Sequence, residues 1–379
     1  MSDNRDLLVF GEDWGAHPSS TQHLVSRLAA DRRVLWINSI GLRRPRLQAR
    51  DVFRIGHKLA AMTGLPDTFG AIAREHHPTN LNLLAPRALC WPGSGLVSRI
   101  NKSILGGQIK KALGDSNIAR PIIWASLPTA IDVVGDINRY ALVYYCGDDF
   151  SALSGVDHEP VARMEQKLAA QADLIIAASD VLASQFQTHK TILAPHGVDY
   201  DLFAMPAPRA KDLPQGRPIA GFYGALADWI DVPMIASAAY TMSDWDFVLI
   251  GPVQTDISAL SRLKNVHILG PRPHAALPSY SQHWSVSMLP FRDNAQIRAC
   301  NPLKLREYLA AGTPIASTPF TALNSYKELV HIVNDNQALP LHLRAAASDV
   351  QRSQERRARV RNESWESRAS DISSVLAKL

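Results

Sequence analysis

Two series of short apolar strands, separated by one stretch with no apolar period, constrain this chain more than any other feature. The divider is MPAPRAKDLPQGRP, Met205 to Pro218, rich in proline and charge, which is the composition of an interdomain connection. Before it, DLLVF, RVLWINSIG, PIIWASLPTA and ALVYYCGDDFSAL are apolar runs ending in polar residues, and HLVSRLAADR and PVARMEQKLAAQ read as helices between such runs. After it, PIAGFYGALADWID, WDFVLIGP, NVHILGPRP and WSVSMLPF repeat the pattern. Strands alternating with helices build parallel sheets covered on both faces. The spacing therefore predicts two doubly wound α/β domains, and 379 residues are too many for one ordinary core. The expected boundaries are 1–205 for the first domain, 206–218 for the linker, 219–345 for the second domain and 346–379 for closing helices rich in charge.

Chemistry concentrates in NPLKLREYLAAGTPIASTP, Asn301 to Pro319. Asn301 suits an N-cap, Pro302 a first helical position, and Gly312 the residue after the last turn. Leu305, Tyr308 and Leu309 fall on one apolar face, and Lys304 and Glu307 share another. A helix start offers unpaired N–H groups and a positive dipole end, to which Lys304 adds a charge, so phosphate is the natural guest. Glu307, a turn deeper, can accept hydrogen bonds from sugar or ribose hydroxyls. The same two residues also fit a plain solvated pair on a stable helix.

In open α/β sheets ligands gather at the carboxyl ends of strands. The first such loop, GEDWGAHPSSTQ, carries Glu12, Asp13, Trp14, His17, Ser19 and Gln22; His17 and His23 also suit capping or packing. Asp148 and Asp149 end a later strand, where a carboxylate beside another has its pKa raised and can act as a general base; the pair also fits a cap on the next segment. Asp157 is a third option. In the second domain Gly224 and Gly251 end strands where close backbone approach can admit a phosphate.

The net charge of +5 is unevenly spread: Arg27 to Arg120 contains sixteen Lys/Arg against five acids. Within it Gly41 to Met62 mixes six cations with Leu47, Val52, Phe53, Ile55, Leu59 and Met62, which suits an anionic membrane surface or a lipid pyrophosphate acceptor, or a solvated basic helix. No aromatic-interleaved basic motif points to nucleic acid. No apolar run has membrane-span length and the first residues lack a signal-peptide core, so the cytoplasm is the expected location, with peripheral contact at the inner face of the plasma membrane. Cys90, Cys146 and Cys300 are far apart and odd in number, arguing for buried reduced thiols rather than a disulfide framework or zinc site. No metal-ligand cluster and no cofactor are expected.

These residues carry a resemblance. Glu307 followed by YLAAGTP looks like the second half of the E-x7-E signature of family 4-like, GT-B-fold glycosyltransferases; eight positions earlier stands Ala299 instead of the first Glu. The Lys inside NPLKLREYLAAG resembles a branch acting in bacterial surface polysaccharide synthesis. Trp14, Pro18, Gln22, His23 and Leu24 match that branch's first loop, and PHGVD, Pro195 to Asp199, resembles the segment ending the family's N-terminal domain. The resemblance implies two Rossmann-like domains facing a cleft, the first binding acceptor and the second the nucleotide-sugar, with the last helices crossing back onto the first. It places the donor against His196, Gly224, Gly251, Pro271, Arg272, Arg298, Asn301, Leu303, Lys304 and Glu307, with Glu307 on the ribose and the Pro271–His274 loop on the base. Arg and Lys usual after the first glycine turn are here Ala225, Leu226, Asp228 and Trp229, leaving the cation to Lys304 and Arg298. As inverting base it favours Asp149, then Asp148. The implied activity is metal-independent transfer from a nucleotide-diphosphate sugar, uridine favoured, to a saccharide or lipid-linked saccharide. A nucleotide-sugar 2-epimerase of the same fold and a non-catalytic binding relative are the alternatives.

Overall fold

The computed structural model describes residues 4–15, 19–44 and 77–379. The chain forms two compact units, Met1–Ala194 with Ala369–Leu379, and Pro195–Arg368.

Strands β1 (Leu7–Phe10), β2 (Val34–Ile37), β3 (Leu81–Leu84), β4 (Ile122–Ala125), β5 (Ala141–Cys146), β6 (Leu174–Ala177) and β7 (Thr191–Leu193) make the sheet of the first unit. Their order is β3-β2-β1-β4-β5-β6-β7 and every pairing is parallel. Strands β1, β2, β4, β5 and β6 are buried end to end, which explains why they read as continuous apolar runs instead of alternating ones. The order reverses between β1 and β4, so the loop after β1, with Glu12, leaves the sheet at its topological switch point. Where the apolar period is weak, Gly95–Asp115 still forms a helix. Its buried stripe is Asn101, Leu105, Ile109 and Leu113, one residue per turn with a polar member. Asn101 is satisfied by the backbone of Leu89, donating to its carbonyl and accepting from its amide at 2.8 Å each. Most of the basic segment Gly41–Met62 lies outside the described residues, as do His17 and Pro18.

The second unit repeats the design with β8 (Ile219–Tyr223), β9 (Asp246–Ile250), β10 (Val266–Ile268), β11 (Val286–Leu289), β12 (Ile315–Ser317) and β13 (His331–Ile332), all parallel, in the order β10-β9-β8-β11-β12-β13. Its switch point lies between β8 and β11, at Gly224. Phe222, Phe247, Leu249, Met288, Leu305 and Tyr308 fill the centre of its core.

The proline-rich stretch expected as a linker belongs to this second unit, which begins at Pro195. Phe203 is fully buried in its core. The backbone that follows is fastened down: Gln282 donates to the carbonyls of Phe203 and Met205 at 2.7 Å, and the Ala207 amide donates back to Gln282 at 2.9 Å. The Ala210 amide reaches Ser279 at 2.9 Å. A segment without apolar period can thus be rigid when side chains of a neighbouring helix take up its backbone groups.

Cys90, Cys146 and Cys300 are not in disulfides, but only Cys146 is buried; the other two are partly exposed, against the expectation of three buried ones. Among the described residues no helix is long and apolar enough to cross a membrane.

Candidate active site

The helix Leu303–Ala311 runs from β11 towards β12, and its packing face is the expected one: Leu305, Tyr308 and Leu309 have no exposed surface. Gly312 ends it in the left-handed region at φ 79°, its amide shared between the carbonyls of Tyr308 and Leu309. Arg357 donates to the carbonyl of Ala311 at 2.9 Å and the buried Arg356 to that of Gly312 at 3.4 Å, so cations meet the negative end of the dipole.

The other end departs from expectation. The N-cap position is Pro302, and no side chain caps the helix. Asn301 is diverted: its Oδ1 accepts from Arg306 Nη1 at 2.6 Å. Arg306 is only 3% exposed, and its Nε donates to Glu363 at 2.8 Å. A buried guanidinium needs acceptors more than an amide N–H at a helix start does, because the latter can still meet solvent or ligand. His196 supports the same turn, its buried Nδ1 at 2.7 Å from the Asn301 carbonyl; since a carbonyl only accepts, Nδ1 carries the proton. Leu303 and Lys304 therefore open a helix that no side chain caps.

Lys304 crosses the glycine at the switch point. A Cβ on Gly224 would lie 2.2 Å from Lys304 Cε, and one on Gly251 would lie 2.0 Å from the Gly224 carbonyl oxygen. Both glycines hold positive φ, 141° and 145°, so backbone and lysine stem stack where any side chain would push them apart. The product is a flat floor of peptide with an ammonium group above it.

Glu307 is 7% exposed, which removes the solvated-pair alternative. Its Oε1 lies 3.0 Å from His274 Nε2. Burial alone pushes this carboxyl up, but His274, Tyr223 and Lys304 together hold it below the usual carboxylate range. His274 is pushed down by burial and more strongly up by Glu307 and Asp199, so its pKa is raised.

Two side chains expected at the donor are otherwise engaged. Arg272 donates to Asp212 at 2.7 Å, to Tyr280 at 3.0 Å and to its neighbour's carbonyl, that of Pro271, at 3.0 Å. It ties the proline-rich strap to the loop after β10. Arg298 forms an exposed two-point pair with Asp293 at 2.7 and 3.0 Å. Of the cations expected around the donor, Lys304 is the one set over the switch-point glycine. Asp228 accepts from Thr255 at 2.7 Å.

In the first unit, acids cluster at the carboxyl ends of β1 and β5. Asp149 Oδ1 accepts from the Ser151 amide at 3.0 Å and its hydroxyl at 2.6 Å, the arrangement of a turn cap. Asp148 carries the perturbation: although its side chain reaches solvent, the protein mass around it, then the charges of Glu12 and Asp149, push it up to about 6. Glu12, raised by burial, is held by the Ser19 hydroxyl and by Gln22 Nε2 at 3.2 Å. Gln22 is one of the five residues that match the first loop of the polysaccharide branch; Trp14, another, packs edge-on against Trp36 with centroids 4.8 Å apart. Asp157 accepts from the Arg44 amide at 2.8 Å. Glu165, beneath β5, takes the Tyr144 hydroxyl and has its pKa raised by burial. Glu12 and His274 are the residues sequence reasoning did not rank. Glu12 is named with the first loop but given no role, because its place at a switch point depends on the sheet order; His274 has no local signature.

No family model matches the chain. It is 31% identical over 226 residues to a Bacillus subtilis (strain 168) protein described as "Putative teichuronic acid biosynthesis glycosyltransferase TuaH", a match spanning 54% of this chain and 56% of that one. Anabaena HepE, solved in complex with UDP and glucose, superimposes with a TM-score of 0.68 at 14% identity, over 99% of this chain and 100% of the other. Sucrose-phosphate synthase of Thermosynechococcus elongatus gives 0.72 at 15% identity, over 99% and 98%. The chain has the GT-B fold. Within the GT-B fold, the two Rossmann-like sheets expected from the strand pattern are present with the same order, 3-2-1-4-5-6, and the first continues to a seventh strand.

Proposed function

We propose that this protein is a glycosyltransferase. It moves a sugar from a nucleotide-diphosphate sugar, a UDP-sugar by preference, to a saccharide or lipid-linked saccharide acceptor in bacterial surface polysaccharide assembly. The observation that carries the reading is the pairing on one helix of Lys304, laid over the switch-point glycine, with Glu307, buried and ionised beside His274. A buried carboxylate with one oxygen engaged has acceptor capacity left for a pentose diol, and the ammonium and helix start suit a pyrophosphate. The TuaH relative supports the pathway and HepE, which holds UDP and glucose, supports the donor class.

In the reaction the bond between the anomeric carbon and the diphosphate oxygen breaks, the electron pair leaves with the nucleotide, and the acceptor oxygen takes its place. Lys304 and the helix dipole stabilise the departing charge, so no divalent ion is required. With inversion, a carboxylate of the first unit takes the acceptor proton. Asp148 is the stronger candidate, because a base poised near pH 6 combines availability with driving force, whereas Asp149 is committed to Ser151. With retention, the leaving phosphate takes the proton. Calorimetric titration with UDP and GDP, followed by transfer assays in EDTA, tests the reading; absence of nucleotide binding would sink it.

The acceptor side adds a lipid surface, at which the protein works from the cytoplasmic face. Leu89, Trp91, Leu96 and Ile104 are 54%, 49%, 70% and 49% exposed, an unusual run of apolar groups in water. The Leu89–Asn101 bonds lay this strand of chain along the helix Gly95–Asp115. Arg44 sits over the Trp91 ring at 5.3 Å, and Arg87, Arg99, Lys102 and Lys110 are exposed on the same stretch. Apolar groups interleaved with cations fit an anionic bilayer. Flotation should recover the protein with phosphatidylglycerol vesicles and not with phosphatidylcholine alone, and Leu96→Glu should abolish recovery; equal recovery on both would remove the membrane from the proposal.

A further inference from the structure

We infer that His274 is a positioning residue for donor binding: it clamps the Glu307 carboxylate in place for the hydroxyls of a nucleotide's pentose, and is itself braced by Asp199. This deepens the donor-site reading above and rests on it.

Three elements converge on the imidazole. From the helix Leu303–Ala311 comes Glu307, its Oε1 at 3.0 Å from Nε2. From the turn before the helix Tyr200–Ala204 comes Asp199, its Oδ2 at 3.8 Å from Nδ1. From that helix itself comes Phe203, whose ring meets the imidazole edge-on at 5.4 Å between centroids. Asp199 occupies the N-cap position of its helix, yet its carboxylate makes no capping bond there. An Asp at an N-cap ordinarily accepts from the second or third amide; here it faces the histidine instead. Histidine and Asp199 side chains are 20% and 17% exposed, and Glu307's 9%, so the three groups interact through protein more than through water.

The physical need is plain. A carboxylate this buried takes up a proton unless a cation or donors hold its charge. Lys304 and Tyr223 also face Glu307, but Lys304 is needed over Gly224 and the phosphates. His274 supplies a fixed N–H and, when protonated, a charge. It engages Oε1, and a carboxylate that also faces Tyr223 still has lone pairs for a ligand's hydroxyls. Were Glu307 neutral, it would present a hydroxyl that needs an acceptor of its own, and a sugar diol would lose its bond to a charged group.

The experiment is a double-mutant cycle by calorimetry on the full chain, with UDP and separately inorganic pyrophosphate as titrants. His274→Ala should weaken UDP at least tenfold and leave pyrophosphate within twofold, because the latter reads only the Lys304 end. In a Glu307→Gln background the same change should cost nothing further. His274→Gln, which keeps a side-chain N–H donor without the charge, should recover part of the loss, and it remains informative if the alanine variant fails to fold. Native UDP affinity in both His274 variants would overturn the assignment, as would an undiminished loss in the Glu307→Gln background. A native protein that binds pyrophosphate but no nucleotide would overturn the pentose role and this inference together, while retained UDP binding with unchanged variants would overturn this inference alone.

Discussion

Replacing Lys304 by methionine removes one charge while keeping an unbranched stem to lie over Gly224, where the lysine Cε now lies 2.2 Å from the place a Cβ would take. Three terms favour a pyrophosphate at this site, and their sizes differ. Hydrogen bonds to charged groups are worth about 1.5–3 kcal/mol each. The helix start contributes about 0.3–1 kcal/mol, and the amides left without a side-chain cap add ordinary bonds that the variant keeps. The ammonium should therefore dominate, and its loss should raise the dissociation constant for UDP by about 10- to 150-fold without abolishing binding. Calorimetry with UDP and with uridine measures this directly: uridine, lacking phosphate, should bind both proteins equally. The ammonium's share should also fade as salt is raised, so the two UDP isotherms should converge at high ionic strength. A Lys304→Met protein that binds UDP within twofold of the native one at low salt would refute the argument that this residue is the phosphate cation.

Other outcomes follow from the same geometry. Gly224→Ala should weaken UDP binding with the fold intact, since the new methyl must displace the Lys304 stem; unchanged affinity in circular-dichroism-validated protein would show that the stem has room. If the reaction inverts, turnover should rise with pH through about 6 as Asp148 ionises, and Glu12→Gln, which removes a neighbouring negative charge, should move that limb to lower pH. Asp148→Asn should abolish transfer while Asp149→Asn retains part of it; the opposite ranking would return the base role to Asp149. Arg306→Ala strips a buried guanidinium from Glu363 and Asn301, a loss of about 3–5 kcal/mol, or a melting point lower by roughly 6–20 °C; an unshifted melt would contradict the buried-pair account. Finally, Glu307 is held below 4.5, so its contribution to stability is present above that pH and fades as pH falls through the lowered value. His274 is held above 6.5, so its contribution is full below that pH and fades as pH rises through the raised value. The stability difference between native protein and His274→Gln, by urea titration, should peak between these limits and shrink on either side.

The sequence discloses what depends on neighbours in the chain. Buried strands, the apolar face of Leu305, Tyr308 and Leu309, and the glycine stop at Gly312 are all local, and all are where their spacing puts them. What it conceals is competition between distant groups. Asn301 is a sound N-cap until Arg306 and Glu363 are brought beside it, and nothing within one helical turn announces Glu363. Met205–Pro218 has a linker's composition, and only the positions of Gln282 and Ser279 reveal that its backbone is occupied. Glu12 and Asp148 stand 136 positions apart, yet the sheet order sets their strands two places from one another through β4. His274 and Glu307 meet only because β10 and the helix after β11 deliver their ends to one place. Between Val52 and Arg120 the sequence supports a strand at LNLLAPRAL and otherwise only helix and loop without bounds; the helix Gly95–Asp115 lacks a clear apolar period because its buried stripe begins with an asparagine.

The strap from Pro195 to Pro218 bears on how proteins of this fold are recombined. A chimera that exchanges second units at the compositional boundary, near residue 218, would leave Phe203 behind and open its socket at the heart of the transplanted half, a defect of about 3–5 kcal/mol, besides stranding Gln282 and Tyr280 without their partners. Splicing at Ala194/Pro195 moves the strap with the sheet it is laced to, and should yield soluble hybrids where the later junction yields aggregates.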